Sequence, residues 1–273
     1  MDFIEILKAI LFGIVEGITE WLPISSTGHM IILDELVKLN VSDAFREMFL
    51  VVIQLGAILA VVVLYFKKLW PFSTKEKFFI KKDTFGMWFK ILAACTPAAI
   101  VGVFFDDKIN ELFYNYQTVA AMLIIFGVLF IVIENYNKGR KPVINSIAEI
   151  TWKAAIGVGL FQLIAAVFPG TSRSGATILG GILLGMSRTT AAEFTFFLAV
   201  PVMAGASLLK LVKFGLAFSA SEAVILIVGM VVAFVVSIIV IKFLLNYIRR
   251  NDFKAFGWYR IVLGVLVILF FSL

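Results

Sequence analysis

Pro23-Ile24-Ser25-Ser26-Thr27-Gly28-His29 and Pro169-Gly170-Thr171-Ser172-Arg173-Ser174-Gly175 are short polar stretches set in the middle of two long apolar regions. Each joins a proline, which a helix interior excludes, to hydroxyl residues that satisfy free amides at a helix start. Each region, about 1–38 and about 151–187, therefore reads as a helix, a break and a second helix. Elsewhere apolar runs occupy about 47–66, 86–105, 117–135, 190–212, 221–248 and 257–273. Each approaches the roughly 20 residues that a helix needs to cross a bilayer. The expected fold is all-α: a polytopic membrane helical bundle, one domain over 1–273, with six spanning helices and two re-entrant helical hairpins.

The composition supports this reading. Hydrophobic residues make up 62% of the chain and charged residues 15%, against roughly half and a quarter in soluble domains. The net charge of +6 does not point to nucleic acid, because the basic residues sit between apolar segments, where they orient membrane helices. Cys95 is the only cysteine, so no internal disulfide or thiolate-rich zinc site is available, and it reads as a small packing residue. Asp2, Glu5 and Lys8 interrupt the first apolar run, and no small-residue cleavage site follows a basic start; the N-terminus is not read as a removed signal peptide.

The two breaks also align with each other. A shift of 146 residues superimposes Gly13 on Gly159, Glu16 on Gln162, Pro23 on Pro169, Ser26 on Ser172 and Glu47 on Glu193. This implies a duplicated unit, with inverted repeats at approximately 1–136 and 147–273, and broken helices in corresponding positions point to a midplane binding site. Ile125-Phe126-Gly127-Val128-Leu129 resembles Val262-Leu263-Gly264-Val265-Leu266 at a shorter shift.

Three basic clusters, Lys67 to Lys82, Lys138 to Lys141 and Arg249-Arg250, place those loops in the cytoplasm by the positive-inside rule, and the acidic Asp106-Asp107 loop outside. Residues 38–46 are then outside and 137–150 inside. The first hairpin opens outward and the second inward, with their tips meeting within the membrane. Lys210 and Lys213 fall on the outer side and count mildly against the scheme.

Glu16 and Glu20 lie one helical turn apart on one face. Carboxylates in apolar surroundings need a counter-charge, a proton or a metal; the plainer reading is a polar face lining water near a helix end. Ser25, Ser26, Thr27, Ser172 and Ser174 stand just before apolar helices. There they can cap free amides, and two such helix starts facing each other form a phosphate cradle. Arg173 suits an anion at this depth, its planar fork matching phosphate oxygens; the other reading is an ion pair with Glu16 or Glu20. His29, the only histidine, reads as a proton donor or acceptor beside the first break, against the alternative of a hydrogen-bonded packing residue. Glu47 and Glu193 read as structural, bonding to hairpin backbone.

At these residues the sequence resembles the bacterial undecaprenyl-diphosphate phosphatase family, also called bacitracin-resistance proteins. Glu16-Gly17-Ile18-Thr19-Glu20 resembles the family's first acidic motif, Pro23 to His29 its continuation, and Pro169 to Thr177 its second motif. The resemblance implies hydrolysis of undecaprenyl diphosphate to undecaprenyl phosphate and inorganic phosphate, recycling the carrier for cell-wall synthesis. It further implies a divalent-cation requirement, reduced sensitivity to bacitracin, and a multi-pass protein of the bacterial plasma (inner) membrane whose site opens to the outer, periplasmic side.

Under that reading Arg173 and the two helix ends hold the diphosphate, and Glu16 and Glu20 bind Mg²⁺ or Ca²⁺. Ser26 is the expected nucleophile with His29 assisting proton transfer; His29 itself or a metal-bound water stays open as the attacking group. The catalytic set is thus Ser26, His29, Glu20 and Arg173. The expected partners are undecaprenyl diphosphate and membrane lipids, with no nucleic acid; pairing into a homodimer is compatible with such a bundle. The main rival is a transporter or flippase of polyprenyl phosphate lipids, since carriers share inverted repeats and broken helices. A scaffold for other envelope enzymes is a third reading, under which the polar break residues would be dispensable.

Overall fold

The computed structural model describes residues 3–74, 79–215 and 218–272. Asp2, Lys75, Lys77 and Leu273, which enter the readings above, lie outside the described residues. Among those described, the helices are α1 (Phe3–Thr19), α2 (Ser26–Leu36), α3 (Asp43–Val52), α4 (Gln54–Leu64), the short α5 (Phe66–Leu69), α6 (Lys82–Phe113), α7 (Tyr116–Tyr136), α8 (Trp152–Val167), α9 (Arg173–Leu183), α10 (Arg188–Phe214), α11 (Ala220–Ile248) and α12 (Lys254–Ser272). Six stretches are long and apolar enough to cross a membrane: α3 with α4, α6, α7, α10, α11 and α12. These are the six runs read from the sequence, and the chain is a multi-pass, all-helical membrane protein. Apolar side chains such as Phe104, Ile227, Val231, Val235 and Ile239 are exposed on their outer faces, where lipid replaces water.

Helix starts fall where hydroxyl and amide side chains can take up free backbone N–H groups. Ser42, Asn115, Thr151 and Ser187 each accept from the amide three residues on, and Ser219 forms a reciprocal capping box with Glu222. Two details differ from expectation. The first spanning stretch is two helices meeting at Ile53. The Asp106-Asp107 pair is helical, because α6 meets no cap or stop until Asn115 starts α7, and its one proline, Pro97, is carried inside. Lys213 lies 3.6 Å from Asp106 and 3.3 Å from Asp107, so the cation that sat awkwardly on that side is paired there.

Contacts sort the loops into two ends. At one, Glu5 accepts from Asn40 N at 2.8 Å and Lys8 donates to the Lys38 carbonyl at 2.6 Å, so the start of α1 meets the chain beyond α2. Phe45 packs there on Phe214 and Phe218, next to the Lys213 pair. At the other end, Ser187 N donates to the Ile144 carbonyl at 2.8 Å, bringing the end of α9 to the segment before α8. Arg188 pairs with the buried Glu134, which also accepts from Phe253 N at 3.0 Å, and Lys68 pairs with Glu193 at 3.0 Å.

Between the ends, α1 packs on α11, α8 on α6 and α7 on α12, while α10 lies against α3, α4, α6 and α9. The α7–α12 crossing is tight. A Cβ on Gly127 would stand 2.7 Å from the Gly257 carbonyl and 2.8 Å from the Ile261 side chain; one on Gly264 would stand 2.9 Å from the Ala120 carbonyl and 2.7 Å from Ile124. Contacts that climb one helix while descending the other make the pair antiparallel.

Candidate functional site

Glu20 N bonds to the Glu16 carbonyl at 3.0 Å, so the helical turn runs past Thr19 and sets both carboxylates on one face, as their spacing predicts. Both are buried. Glu16 Oε1 has no hydrogen-bond partner among the described residues. The chain then bends through residues 20–24 beneath Trp21, a fully buried ring set edge-on to Phe196 at 5.3 Å.

The two breaks have the same local design. Ser25 caps α2 with φ 73° and ψ 101°, and Ser172 caps α9 with φ 68° and ψ 116°. Their hydroxyls accept from Gly28 N at 3.3 Å and from Gly175 N at 3.1 Å. Left-handed backbone at a serine costs about 1–3 kcal/mol, and such strain gathers at functional sites. By its cap Ser172 matches Ser25, whereas the 146-residue shift sets it against Ser26, because the second break holds one more residue between its proline and its cap. Ser26 and Arg173 are then the equivalent first residues of their helices.

Those two residues share one partner. Ser26 Oγ donates to Glu20 Oε2 at 2.8 Å, and Arg173 Nη2 donates to Glu20 Oε1 at 2.7 Å. Arg173 Nη1 donates to the Thr195 carbonyl at 3.0 Å, anchoring the fork to α10. The pair of Arg173 with Glu20 foreseen as one alternative is thus present, at the start of α9. Ser174 Oγ donates to the Leu22 carbonyl at 3.4 Å and lies 3.1 Å from Ser172 Oγ. Since a carbonyl only accepts, the proton order runs from Ser172 to Ser174 to the first break. Thr27, half-buried, stands beside Ser26 on the first turn of α2. The breaks therefore meet, and Glu20, Ser26, Arg173, Ser172 and Ser174 come together.

His29 lies beside the first break and is hydrogen-bonded through both ring nitrogens. Nδ1 lies 2.8 Å from the Ser25 carbonyl and so carries the proton; in the neutral ring Nε2 then accepts from Tyr259 Oη, 2.7 Å away. The group bonded to the Ser26 hydroxyl is Glu20. Glu193 pairs with Lys68 and Glu47 is exposed on α3, so the expectation that these two bond to hairpin backbone does not hold.

Two residues of the junction escape the motif reading, Tyr259 and Arg260, neighbours on α12. Arg260 is fully buried and donates to the carbonyls of Pro23 at 3.2 Å, Gly170 at 3.0 Å and Thr171 at 2.8 Å, with Met122 at 3.4 Å. A signal existed: an arginine inside an apolar span is expensive and marks a site or a partner. Of the two arginines at the junction, Arg173 pairs with Glu20, while Arg260 is bonded to carbonyls of both breaks.

Such a junction can hold a phosphate group on helix starts and arginine while a carboxylate takes the proton of a neighbouring hydroxyl. No group of three or more His, Cys, Asp or Glu side chains gathers around one point among the described residues. The bare Glu16 oxygen beside Glu20 still fits a hard divalent cation whose shell is completed by substrate oxygens and water. A cavity of about 640 Å³ opens elsewhere, lined by Lys68, Lys82, Lys90 and Glu193, apart from these residues.

The family model described as "Bacitracin resistance protein BacA" matches residues 9–266. The chain is 68% identical to the undecaprenyl-diphosphatase of Desulfitobacterium hafniense over 100% of this chain and 98% of that one. It is 67% identical to undecaprenyl-diphosphatase 1 of Clostridium acetobutylicum over 99% of each, and 60% identical to an undecaprenyl-diphosphatase of Enterococcus faecalis over 98% of each. With its breaks, its acidic turn and nearly its whole length matched, the chain belongs to the BacA bacitracin-resistance family.

Proposed function

We propose that the chain hydrolyses undecaprenyl diphosphate to undecaprenyl phosphate and inorganic phosphate at the junction of its two breaks. The observation that carries this reading is the Ser26–Glu20–Arg173 array, a hydroxyl, a base and a phosphate-matching fork where the starts of α2 and α9 meet. The full-length relatives bear the name of that activity. The product re-enters cell-wall synthesis, and its recovery opposes bacitracin.

In this reading the terminal phosphate lies between the starts of α2 and α9, with its oxygens on Arg173 and free amides. Ser26 Oγ attacks the terminal phosphorus and its proton passes to Glu20. The bond to the bridging oxygen breaks and the lipid leaves as its monophosphate; water then releases phosphate from Ser26. His29, held by the Ser25 carbonyl and Tyr259, serves as a proton acceptor at its Nε2 and can return that proton as a donor. Glu16 and Glu20 are the residues that would hold Mg²⁺ or Ca²⁺, which when bound neutralises charge on the phosphoryl group.

The same reading makes α1–α2 and α8–α9 re-entrant hairpins of an inverted repeat. Its support is the closure of each hairpin at a different end of the bundle, the matched caps, and the antiparallel contacts of Gly127 and Gly264 in equivalent helices. The basic loops favour a cytoplasmic position for the end holding Lys68 and Arg188, which opens the first hairpin toward the outer face of the plasma membrane. The antiparallel pair also favours a carrier as second reading; it would keep lipid flux in Ser26→Ala and need no phosphate release. Detergent-purified protein given undecaprenyl diphosphate decides between them: metal-dependent phosphate release, stopped by EDTA, is expected, and none from folded protein contradicts the phosphatase.

A further inference from the structure

Arg260 is 0% exposed, and among the described residues no carboxylate bonds it. Burying a guanidinium without a counter-ion costs several kcal/mol, and an apolar side chain of similar volume would often serve packing as well. Its four hydrogen bonds all go to main-chain carbonyls, and three of these, Pro23, Gly170 and Thr171, lie one or two residues before the caps Ser25 and Ser172. One planar fork thus holds both breaks from behind. It also takes up carbonyl oxygens that would repel an anion if they faced the cradle. Gly175, in the first turn of α9, leaves room for it: a Cβ there would stand 3.1 Å from Arg260 Nη1. Nε, still without a partner, marks the fork as placed for the carbonyls rather than for its own complete bonding.

We propose that Arg260 is a positioning residue for the phosphoryl-transfer reaction, fixing the first break, with Ser26 and Glu20, against the second, with Arg173. The proposal rests on the phosphatase reading. It touches no reacting atom, so its removal acts on turnover through geometry. A displacement of about 1 Å can cost on the order of 100-fold in rate.

The test is steady-state phosphate release by purified wild type, Arg260→Met, Arg260→Lys and Gly175→Ala, with melting temperatures in the same detergent. Arg260→Met is expected to lower kcat about 100-fold with KM changed less than about threefold. Arg260→Lys supplies the charge but, as a point donor, cannot span both breaks; it should restore the melting temperature and leave kcat at least about tenfold down. If Arg260→Met fails to fold, Gly175→Ala decides: its Cβ, 3.1 Å from Nη1 and 3.3 Å from the Ser172 side chain, presses the fork by a few tenths of an ångström, and kcat should fall about tenfold with melting unchanged. Wild-type kcat in folded Arg260→Met or in Gly175→Ala, full recovery of kcat by lysine, or a loss confined to KM would overturn the assignment. Absence of release from the wild type would instead overturn the phosphatase reading.

Discussion

Glu20 and Arg173, 153 residues apart in the chain, meet at 2.7 Å, and the second oxygen of the same carboxylate holds Ser26 at 2.8 Å. One side chain therefore links the nucleophile proposed in the first break to the arginine proposed to hold phosphate in the second. The neighbouring serines divide the work differently, and that division can be tested.

Ser26→Ala removes the hydroxyl bonded to Glu20 but no cap, so turnover should fall on the order of 10³-fold or more with melting nearly unchanged. Ser25→Ala removes a cap and should cost about 1 kcal/mol of stability. Parallel melting and phosphate-release assays separate the two. Equal losses of turnover in both would count against Ser26 as the attacking group, and phosphate trapped on His29 would exclude it.

Glu16 tests the cation. Glu16→Gln keeps the shape of the side chain but removes charge beside Glu20, and the variant should need about tenfold more Mg²⁺ or Ca²⁺ for half-maximal release. Calorimetric titration of metal into the protein gives a second readout. An unchanged metal requirement would place the cation elsewhere.

Far from the junction, Arg188→Ala would leave Glu134 charged and buried without its fork, at a cost of about 3–5 kcal/mol. The Phe253 amide bond to Glu134 ties this loss to the start of α12. A marked drop in melting temperature is expected, with kcat of the folded protein retained; wild-type melting would show that the lock contributes little.

The α7–α12 crossing gives a stability contrast between two glycines. Gly127→Val should cost about 1–3 kcal/mol, because its side chain meets the Gly257 carbonyl and Ile261. Gly86→Ala, also helical but with nothing within 4 Å of its Cβ, should be neutral or stabilising by up to about 1 kcal/mol. Thermal melting of both variants checks the antiparallel contact.

Much of this was legible because each polar break interrupts a long apolar run, and a proline with capping hydroxyls inside such a run has few structural readings. The spacing of Glu16 and Glu20 and the presence of Arg173 pointed to the junction for the same reason: charge at membrane depth needs a partner. The register of the two caps was not legible to one residue, since the second break holds one more residue between its proline and its cap, and α9 moves with that cap. Arg260 and Tyr259 stand about 240 residues from the first break, beyond any local motif, and only the packing of α12 against α7 and α2 brings them to it. Glu47 and Glu193 looked alike by position alone, yet one is exposed and the other pairs with Lys68, because end-of-helix surroundings are set by neighbouring loops.

The most direct measurement is inorganic phosphate release from undecaprenyl diphosphate by wild type, Glu20→Gln and Arg173→Ala in one detergent, with folding checked by melting. A site assembled from both breaks predicts metal-dependent release by the wild type and a loss of about 10²-fold or more in each variant. Release near the wild-type rate by either folded variant would contradict it.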